Sequence, residues 1–538
     1  MTRPAPASRL LLAVATGLAL LADPPSVAAG WPPSQSGYHD EAELVAEIHA
    51  VEASRPDIVD VFAIGTSHQG RPLWTAKVSD NVTLDEDEPE VLFDALHHGR
   101  EHLTLEQALD LFHLLVDGHG VDPRITALVD SREVWIVFAV NPDGAAYDLT
   151  GSPYRAWRKN RQPAPGGVAI GTDLNRNYDY RWACCGGSSS DPRAPTYRGP
   201  RPFSAPETRA VRDFVASRVV GGRQQIRAHV TFHTNGELIL WPYGYTRLDV
   251  PPDMTRADHA AFVALARAMA ARNGYRAIQS SDLYITDGDQ IDWLYARYRI
   301  FSFTFELYPP EQPTVWGDHY PPDEVIGRET ARNREALLYL LEVADCPYRA
   351  SGTERLNCGP LYDDFEIGRG WRVDPFGTDT ATAGRWHRGD PAPTWSSGPK
   401  QVGTAISGSL ALVTGSSASA GPDANDVDGG TTTVASPAVL LPAEVGRLTF
   451  RYYLAHDVRA SLEDSLEVSV EDLESGVRKL VFRELGGPSD DDAVWGRAWI
   501  DLRPWAGRSI RIVAAVGDRG ADSLVEAAID DVRILRPA

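Results

Sequence analysis

Residues 96–102, with the sequence LHHGREH, constrain the fold of this chain more than any other stretch. They follow a short apolar run at 91–96 that is typical of a buried strand, and they precede apolar residues at helical spacing over 103–116. His98 and Glu101 are therefore placed at one corner between a strand and a helix. An imidazole and a carboxylate at this spacing predict half of a zinc site in an α/β protein.

A catalytic zinc ion takes three protein ligands and leaves a fourth position open for water, so a third ligand is required. His233 is the best candidate, because alternating β-branched and apolar residues at 228–233 predict a strand that ends there. A His-x-x-Glu pair alone is common on helix surfaces. The zinc prediction therefore depends on His233 joining His98 and Glu101.

Further motifs follow in a fixed order, and the whole set resembles the zinc metallocarboxypeptidases of the funnelin type. This is the carboxypeptidase A family, which has secreted bacterial relatives such as carboxypeptidase T. The resemblance covers about residues 36–344 and rests on HGRE at 98–101, NPDG at 141–144, RAWRK at 155–159, DLNRNY at 173–178, TYRGP at 196–200, FSAPE at 203–207, WPYGY at 241–245, IDW at 291–293 and FTFEL at 303–307.

The resemblance implies one Zn²⁺ per chain, held by His98, Glu101 and His233. It also implies that Glu306 is the general base, since an unligated carboxylate beside the ion must take a proton from the attacking water. Arg158 is implied to hold the oxygen of the scissile carbonyl, which becomes an anion in the transition state. A structural Ca²⁺ is left open as an additional ion.

Recognition of a free C-terminal carboxylate is implied for four further residues. Asn175 and Arg176 resemble the carboxylate anchor of the family, and a guanidinium group pairs with a carboxylate in a way that an ammonium group cannot copy. Tyr284 resembles a mobile tyrosine that closes over the substrate, and Arg100 adds a second positive group nearby. We therefore predict an exopeptidase that hydrolyses the C-terminal peptide bond of peptides and proteins.

Two neighbouring histidines offer alternative ligands for the metal. His97 with Glu101, and His98 with His102, also have the spacing of helical pairs. The family places an arginine directly before its ligand glutamate, as Arg100 is here, and this favours His98 with Glu101. We expect supporting or surface roles for His97 and His102.

Substrate preference is predicted from residues 286–293, which line the side-chain pocket by resemblance. Ile291 occupies the position where hydrophobic-preferring enzymes of the family carry an apolar residue, and this favours aliphatic or aromatic C-terminal residues. Asp289 lies where broad-specificity members such as carboxypeptidase T carry an acid, so basic C-terminal residues stay open as substrates. The alternative for Asp289 is a solvated loop position beside Gly288.

Residues 1–29 have the composition of a signal peptide. Arg3 and Arg9 precede an apolar core at 10–22 that is too short to span a bilayer. We therefore predict secretion from a bacterial cell, without a transmembrane anchor. The resemblance to a mature family member begins near Tyr38, which predicts an enzyme that is active without removal of a long inhibitory prosegment.

A formal net charge of −22 disfavours binding to nucleic acids or anionic membranes, because both need a basic surface. We expect peptide or protein substrates and a monomeric chain. The four cysteines fall in two local pairs, and we favour the disulfides Cys346–Cys358 and Cys184–Cys185 among the three connectivities. A zinc site at Cys184 and Cys185 is the alternative, although a second thiol pair at ligand spacing is missing from the sequence.

The pattern of the chain changes near residue 350. Before it, helical and strand-like segments alternate, which predicts an α/β fold with a mixed twisted sheet between helices. Residues 204–207 are expected to form a capping box, and residues 323–343 the last helix. Period-two patterns such as the one at 448–452 predict an all-β sandwich that resembles jelly-roll accessory domains. The predicted organisation is a catalytic domain at 36–345, a linker at 346–359 and an accessory domain at 360–538.

Two other functions are left open by the sequence. In the first, the same fold cleaves cell-wall peptides or acylated amino acids, which activity on muropeptides or acyl amino acids together with poor activity on plain peptides would reveal. In the second, the protein is chiefly an adhesin or binding module that acts through residues 360–538. Full biological activity of a chain lacking the peptidase domain would favour that function.

Overall fold

The computed structural model describes residues 36–537, except residues 87, 151–153, 221–222, 313, 367, 416–425 and 521. The predicted signal peptide, residues 1–29, therefore lies outside the described residues. Among the described residues, no helix combines the length and the apolar character that a membrane span requires.

An eight-stranded mixed sheet forms the centre of the N-terminal part. Its middle strands β4, β3, β7 and β10 are parallel neighbours, and most outer pairs are antiparallel. In order across the sheet the strands are β1 (Val59–Thr66), β2 (Pro72–Val78), β4 (Glu133–Val137), β3 (Glu90–Asp94), β7 (Ile226–Thr234), β10 (Phe301–Leu307), β8 (Leu238–Trp241) and β9 (Arg276–Gln279). A separate ribbon consists of β5 (Val219–Val220) and β6 (Arg223–Gln224).

The helices of this part are α1 (Glu41–Ser54), α2 (Leu103–Gly118), α3 (Pro123–Val129), α4 (Pro142–Asp148), α5 (Pro206–Ser217), α6 (Arg256–Asn273), α7 (Ser280–Leu283), α8 (Gln290–Tyr298), α9 (Val315–His319), α10 (Ile326–Ala331), α11 (Arg334–Val343) and α12 (Glu354–Asn357). Successive residues of β3 show how these helices pack on the two faces of the sheet. Val91 and Phe93 join an apolar cluster with α1, α2, α6 and α11, whereas Leu92 joins a cluster with α5 and α8. Because successive strand residues point to opposite faces, a sheet between two helical layers is confirmed.

The predicted capping box at 204–207 is wrong. Helix α5 begins at Pro206 after Ala205, and no side chain caps it. Glu207 instead accepts hydrogen bonds from the backbone N–H of His68 and from the side chain of Asn160. Tertiary contacts have therefore replaced the local contact that the motif favours.

The prediction of one helix over residues 323–343 is also wrong. The stretch contains a 3₁₀ turn, α10 and α11, with a break at Arg332 and Asn333. The Asn333 side chain donates to the carbonyl of Glu329 and to Gln107 in α2. A side-chain amide that bonds to the preceding turn competes with helix continuation.

The ends of β3, β7 and β10 lie side by side at one edge of the sheet. Asp94, the last residue of β3, lies opposite Thr231, and Glu306, near the end of β10, lies opposite His233. Ligands of open α/β sheets bind at the carboxyl ends of the strands. The register therefore places His233 and Glu306, together with the loop after β3 that carries His98 and Glu101, at the edge where a ligand is expected.

Antiparallel sheets packed face to face form the C-terminal part. Phe450 and Val468, from different sheets, share one apolar cluster, which confirms the predicted β-sandwich. One sheet has the order β13 (His387–Gly389), β16 (Ala411–Val413), β24 (Val525–Ile534), β19 (Arg447–His456) and β22 (Gly496–Asp501), with β11 (Leu361–Asp363) beside β24. The other has β12 (Arg372–Val373), β17 (Gly430–Ala435), β23 (Ser509–Asp518), β20 (Ser465–Asp472) and β21 (Arg478–Leu485), with β18 (Val439–Leu440) beside β23, and β14 (Thr394–Ser396) pairs with β15 (Gly398–Gln401).

The two parts of the chain make direct polar contacts. Arg299, which follows α8, lies 3.9 Å from the carboxylate of Asp364, and the two side chains are 9% and 1% exposed. The structure contains the predicted disulfides Cys346–Cys358 and Cys184–Cys185, so the alternative thiolate zinc site is wrong. The predicted domain boundaries stay predictions.

Candidate metal centre and substrate cleft

The loop after β3 is shaped by close backbone packing. Leu96 adopts a positive φ of 54°, which turns the chain out of the sheet. A β-carbon on Gly99 would lie 2.4 Å from the carbonyl carbon of Gly144, so only glycine fits at this position. The side chain of Asn141 donates to the carbonyl of His97 at 3.1 Å. The NPDG motif therefore holds this loop in place from the start of α4.

His98, Glu101 and His233 converge at the end of this loop, and all three are buried. Nδ1 of His98 lies 2.8 Å from Oε1 of Glu101, and Nδ1 of His233 lies 3.0 Å from Oε2 of Glu101. The two Nδ1 atoms are 3.1 Å apart. Ligands of a tetrahedral zinc ion are separated by about 3.3 Å, so this donor set fits zinc closely.

Electrostatics favour the metal-binding forms of these side chains. Burial disfavours a charge on Glu101, yet His98 and His233 hold the pKa of its carboxyl group well below the usual range. Burial lowers the pKa of His233 to about 4, although Glu101 opposes that shift. At pH 7, Glu101 is therefore an anion and His233 a neutral imidazole, which are the states that bind a metal ion.

Asp173 connects the candidate zinc ligands His98, Glu101 and His233, which we call the metal cluster, to Arg158. Its Oδ1 lies 3.2 Å from Nε2 of His98, and its Oδ2 accepts from Nε and Nη2 of Arg158, each at 3.0 Å. Burial disfavours the charge of Asp173, but Arg158 and His98 hold its pKa well below the usual range. The carboxylate thus orients His98 toward the metal position and fixes the guanidinium group. No role was predicted for Asp173, although the motif that contains Asn175 begins with it.

Glu306 lies beside the metal cluster and is partly buried. In the metal-free chain, burial and the negative charge of Glu101 raise the pKa of Glu306 to about 8, while Arg158 and Arg176 oppose the shift. A carboxyl group with a pKa near neutrality is suited to proton exchange during a reaction. The geometry therefore brings a potential base next to the predicted zinc ligands.

Asn175, Arg176 and Tyr284 are close to one another at the cleft. Nδ2 of Asn175 lies 3.4 Å from Nε2 of His233, which places the amide next to the metal cluster. Arg176 is buried, and it donates to the carbonyls of Asn175 and Gly187. Its guanidinium carbon lies 5.9 Å from the centre of the Tyr284 ring, and 49% of Tyr284 is exposed. A fixed cation and an accessible phenol therefore line the same space.

Arg100 adds to the positive charge of this region. Burial, together with the charge of Arg158, lowers the pKa of Arg100. Its Nε atom is buried and has no hydrogen-bond partner among the described residues. Two guanidinium groups that repel each other in this way favour an anion between or beside them.

The start of α8 holds both residues predicted to line the pocket. Ile291 is buried. Asp289 caps the helix: its Oδ1 accepts from the N–H of Asp292 at 2.9 Å, and its Oδ2 accepts from the hydroxyl of Thr286. Burial raises the pKa of Asp289. The alternative of a solvated loop acid is therefore wrong for Asp289.

His97 and His102 are both buried, so a surface role is excluded for them. The ring of His97 packs on that of His233 with centroids 5.6 Å apart, and its Nε2 lies 3.0 Å from the hydroxyl of Tyr178. Nε2 of His102 lies 2.9 Å from Asp148. Neither residue belongs to the three-residue metal cluster.

His319 is a neighbour of the site that was not predicted. Its Nδ1 lies 3.0 Å from the hydroxyl of Thr234, the residue after His233. Burial lowers the pKa of His319 to about 3, so the ring is neutral at pH 7. The two residues are 85 positions apart, and no motif around His319 marks it in the sequence.

Residues 44–336 match the sequence profile of the zinc carboxypeptidase family. The chain belongs to that family. It is 46% identical over 339 residues to a zinc carboxypeptidase of Saccharothrix mutabilis subsp. capreolus, with 61% of this chain and 75% of that relative covered. It is 32% identical over 272 residues to human carboxypeptidase A1, with 50% of this chain and 62% of that relative covered.

A solved structure supports the same family. Carboxypeptidase A from Helicoverpa armigera matches 59% of this chain and 75% of its own, with a TM-score of 0.50 and 25% identity. As a zinc carboxypeptidase, the protein is a metal-dependent hydrolase of C-terminal peptide bonds. All candidate site residues, from His98 to Glu306, lie within the matched range, and the β-sandwich follows it.

Proposed function

We propose that His98, Glu101 and His233 hold one catalytic Zn²⁺ and that Glu306 is the general base for hydrolysis. The observation that carries this proposal is the position of Glu306 directly opposite His233 at the edge of the sheet. When bound, Zn²⁺ acidifies water and polarises the scissile carbonyl. Glu306 accepts a proton from the attacking water and delivers it to the nitrogen of the leaving amine.

Arg158 stabilises the carbonyl oxygen as negative charge develops on it. Its two hydrogen bonds to Asp173 hold the guanidinium group in place before the substrate arrives. A charge that is already oriented needs little reorganisation during the reaction, and this is the main advantage of an enzyme site over water. Asp173 therefore acts as a positioning residue for Arg158 and His98.

Asn175, Arg176, Arg100 and Tyr284 bind the free C-terminal carboxylate of the substrate. The buried guanidinium group of Arg176, the partly buried one of Arg100 and an amide at the cleft support this role, because they provide donors for a planar anion. A carboxylate bound beside the metal cluster places the last peptide bond at the reacting centre. The enzyme therefore removes single residues from peptide and protein C-termini.

The pocket at the start of α8 prefers hydrophobic C-terminal residues and accepts basic ones second. The apolar side chain of Ile291 supports the first preference. Asp289 supports the second, but its two oxygens already accept hydrogen bonds from Thr286 and Asp292. A basic substrate must compete with these bonds, which makes it the weaker substrate.

We also propose that a bacterium secretes the enzyme and that the enzyme is a monomer. The composition of residues 1–29 supports export. We propose a catalytic domain at 36–345 and an accessory domain at 360–538, joined by residues 346–359. Separate apolar clusters in the two parts support this division.

A structural Ca²⁺ is proposed at Asp80, Glu86 and Glu88. One ligand oxygen of each lies within 4.8 Å of those of the other two. Each residue also has one buried carboxylate oxygen without a hydrogen-bond partner among the described residues. Burial and the neighbouring acids raise the pKa of Glu88 to about 7. Oxygen donors of this kind suit Ca²⁺, and EGTA is expected to lower the melting temperature until Ca²⁺ is restored.

The decisive experiment follows peptide shortening by mass spectrometry, using one peptide with a free C-terminus and its C-terminally amidated form. We expect stepwise removal of residues from the free peptide alone. Glu306→Gln is expected to lower turnover by about 100- to 10,000-fold while zinc remains bound. Glu335→Gln, on the exposed side of α11, is the matched control. Equal cleavage of both peptides would contradict exopeptidase anchoring, and unchanged turnover in Glu306→Gln would contradict the proposed base.

A further inference from the structure

Behind the loop at residues 95–102 that carries His98 and Glu101, which we call the metal loop, a buried polar cluster lies where β3, β7, β10 and α8 meet. We call it the Asp94 cluster, and it consists of Asp94 from β3, His97, His229 from β7, Gln290 from α8 and Ser302 from β10. Each of these side chains is fully buried. None of the five has a role in the proposed reaction.

Asp94 is the centre of this cluster. Its Oδ2 accepts from Nε2 of Gln290 at 2.6 Å and lies 2.8 Å from Nε2 of His229. Its Oδ1 lies 3.4 Å from Nδ1 of His97. Nδ1 of His229 in turn lies 2.6 Å from the hydroxyl of Ser302. One carboxylate thus connects the metal loop, the strand that carries His233 and the first residue of α8.

The cluster keeps a charge in the interior of the protein. Burial disfavours ionisation of Asp94, but His229 and His97 hold its pKa well below the usual range. Burial of an anion costs free energy, and replacing a buried ion pair by apolar residues of similar size often leaves a protein equally stable. Such groups are retained in several proteins because they specify one arrangement of the surrounding elements.

Gln290 connects this cluster to the candidate carboxylate anchor. Its side chain donates to Asp94, and its backbone N–H donates to Oδ1 of Asn175 at 2.9 Å. A backbone N–H can only donate, so the carbonyl oxygen of the Asn175 side chain must face Gln290. The amino group of Asn175 then points the other way, toward His233 and the cleft.

His233 cannot accept a hydrogen bond from this amino group when its Nδ1 faces the metal. In that tautomer Nε2 carries the proton, and two N–H groups do not bond to each other. The 3.4 Å contact between Nδ2 of Asn175 and Nε2 of His233 is therefore not a satisfied pair. The protons of the Asn175 amino group remain for an acceptor in the cleft.

We propose that Gln290 is a positioning residue that orients the Asn175 amide toward the substrate carboxylate, with Asp94 as its fixed support. The proposal rests on the proposed function, since it assumes that Asn175 binds the terminal carboxylate. Without the Gln290 side chain, the first turn of α8 loses its bond to Asp94, and the backbone N–H loses its fixed position. Asn175 is then free to turn its carbonyl oxygen toward the substrate, where it repels an anion.

The test uses Gln290→Met, which keeps the volume and the backbone N–H but removes the bond to Asp94. We expect KM for a peptide with a free C-terminus to rise about tenfold, with kcat changed less than about twofold. The preference for the free over the amidated peptide is expected to fall by the same factor. Gln107→Met is the matched control, because Gln107 is a fully buried glutamine in α2 that bonds to Asn333.

A double substitution separates orientation of Asn175 from a general loss of stability. In an Asn175→Ala background, Gln290→Met is expected to have no further effect on KM, because the amide that it orients is gone. Additive effects on KM would overturn the proposal. If Gln290→Met fails to fold, Gln290→Asn shortens the side chain away from Asp94 and is expected to raise KM in the same direction. An unchanged KM in either variant would also overturn it.

The wild-type protein shows whether the proposed function itself fails. A wild type that cleaves free and amidated peptides equally has no carboxylate anchor, and the proposed function is then wrong. A wild type with a strong preference that Gln290→Met leaves intact refutes only the role of Gln290. Zinc content measured for each variant is expected to equal that of the wild type, since no ligand is changed.

Discussion

Glu306 on β10 and His233 on β7 are direct register partners on adjacent parallel strands. Parallel neighbours point equivalent residues to the same face of a sheet, so the carboxylate and the imidazole share one side of the edge. The backbone itself therefore sets the separation between the proposed base and a proposed metal ligand. A side chain on a loop would lack this constraint.

Loss of one metal ligand is expected to remove zinc and activity together. His233→Ala leaves His98 and Glu101 without the third donor, and activity is expected to fall by at least about 1,000-fold. Metal content measured by atomic emission should drop from one zinc per chain to nearly none. His113→Ala, on α2 beside Glu47, is the control and should keep both. Full zinc occupancy in His233→Ala would refute the assignment.

The stability of the metal-free protein is expected to depend on Glu306 above pH 4.5. The pKa of Glu306 is raised to about 8 in the folded chain, so the folded state binds its proton more tightly than the unfolded state does. Stability is therefore lost as pH rises from about 4.5 to about 8. Glu306→Gln cannot ionise and should be more stable than the wild type by about 2–4 kcal/mol at pH 9, with little difference at pH 4.

Urea denaturation of the zinc-depleted proteins at both pH values measures this difference. A bound dication favours the ionised carboxylate, so the gap between the wild type and Glu306→Gln should shrink when zinc is added at pH 9. An equal gap at pH 4 and pH 9 would show that Glu306 titrates normally.

Gly99→Ala is expected to disrupt the metal loop. The new β-carbon would lie 2.4 Å from a backbone atom of Gly144, so the loop must move away from α4. We expect destabilisation by about 3 kcal/mol and weaker zinc binding, measured by competition with a chromogenic chelator. Gly327→Ala in α10 is the control, because a β-carbon added there would meet no described atom within 4 Å apart from its chain neighbours and the nearby backbone of its own helix, and it should be neutral or slightly stabilising. Wild-type zinc affinity in Gly99→Ala would show that the loop tolerates the shift.

The contact between Arg299 and Asp364 is expected to stabilise the junction of the two parts. Burial opposes the charge of Asp364, but Arg299 and Arg369 lower its pKa, so removal of Arg299 leaves a buried anion with less compensation. Arg299→Met should destabilise the protein by about 2–4 kcal/mol, measured by thermal and urea denaturation.

A second substitution checks this coupling. Arg299→Met combined with Asp364→Asn should cost less than the sum of the single changes, because neither charge is then stranded. Arg503→Met is the control, since its pair with Asp501 is exposed and contributes little. Additive effects at Arg299 and Asp364 would show that the two residues act independently.

Most of the proposed metal site could be predicted from the sequence, because the patterns that indicate it are local. The strand that ends at Asp94, the His98 and Glu101 pair and the helix after it follow one another without a gap, and His233 lies one residue before the end of β7. These patterns predict the mixed sheet and indicate candidate zinc ligands, and the resemblance to the family then favours His98 and Glu101 over His97 and His102. The β-sandwich follows from the alternation of apolar and polar residues in the same way.

The supporting residues could not be predicted, because their roles depend on contacts between distant segments. Gln290 and Asp94 are 196 positions apart, and only the fold places them together. Asp173 belongs to a recognisable motif, but its link to both His98 and Arg158 is a tertiary contact. At Glu207 a local pattern gave a wrong prediction. Its spacing from Ser204 favours a capping box, but its carboxylate accepts hydrogen bonds from His68 and Asn160 instead.

Helix α8 connects the proposed substrate pocket to the β-sandwich. Its first residues, Gln290 and Ile291, belong to the cleft, and Arg299, which follows its last turn, meets Asp364 of the β-sandwich. Nine residues of helix extend about 13 Å, and such a short helix behaves as a stiff rod. We therefore expect a change in the contact between the β-sandwich and Arg299 to shift the start of α8, where the proposed substrate pocket lies. Removal of the residues after 345 should then change substrate selectivity as well as thermal stability.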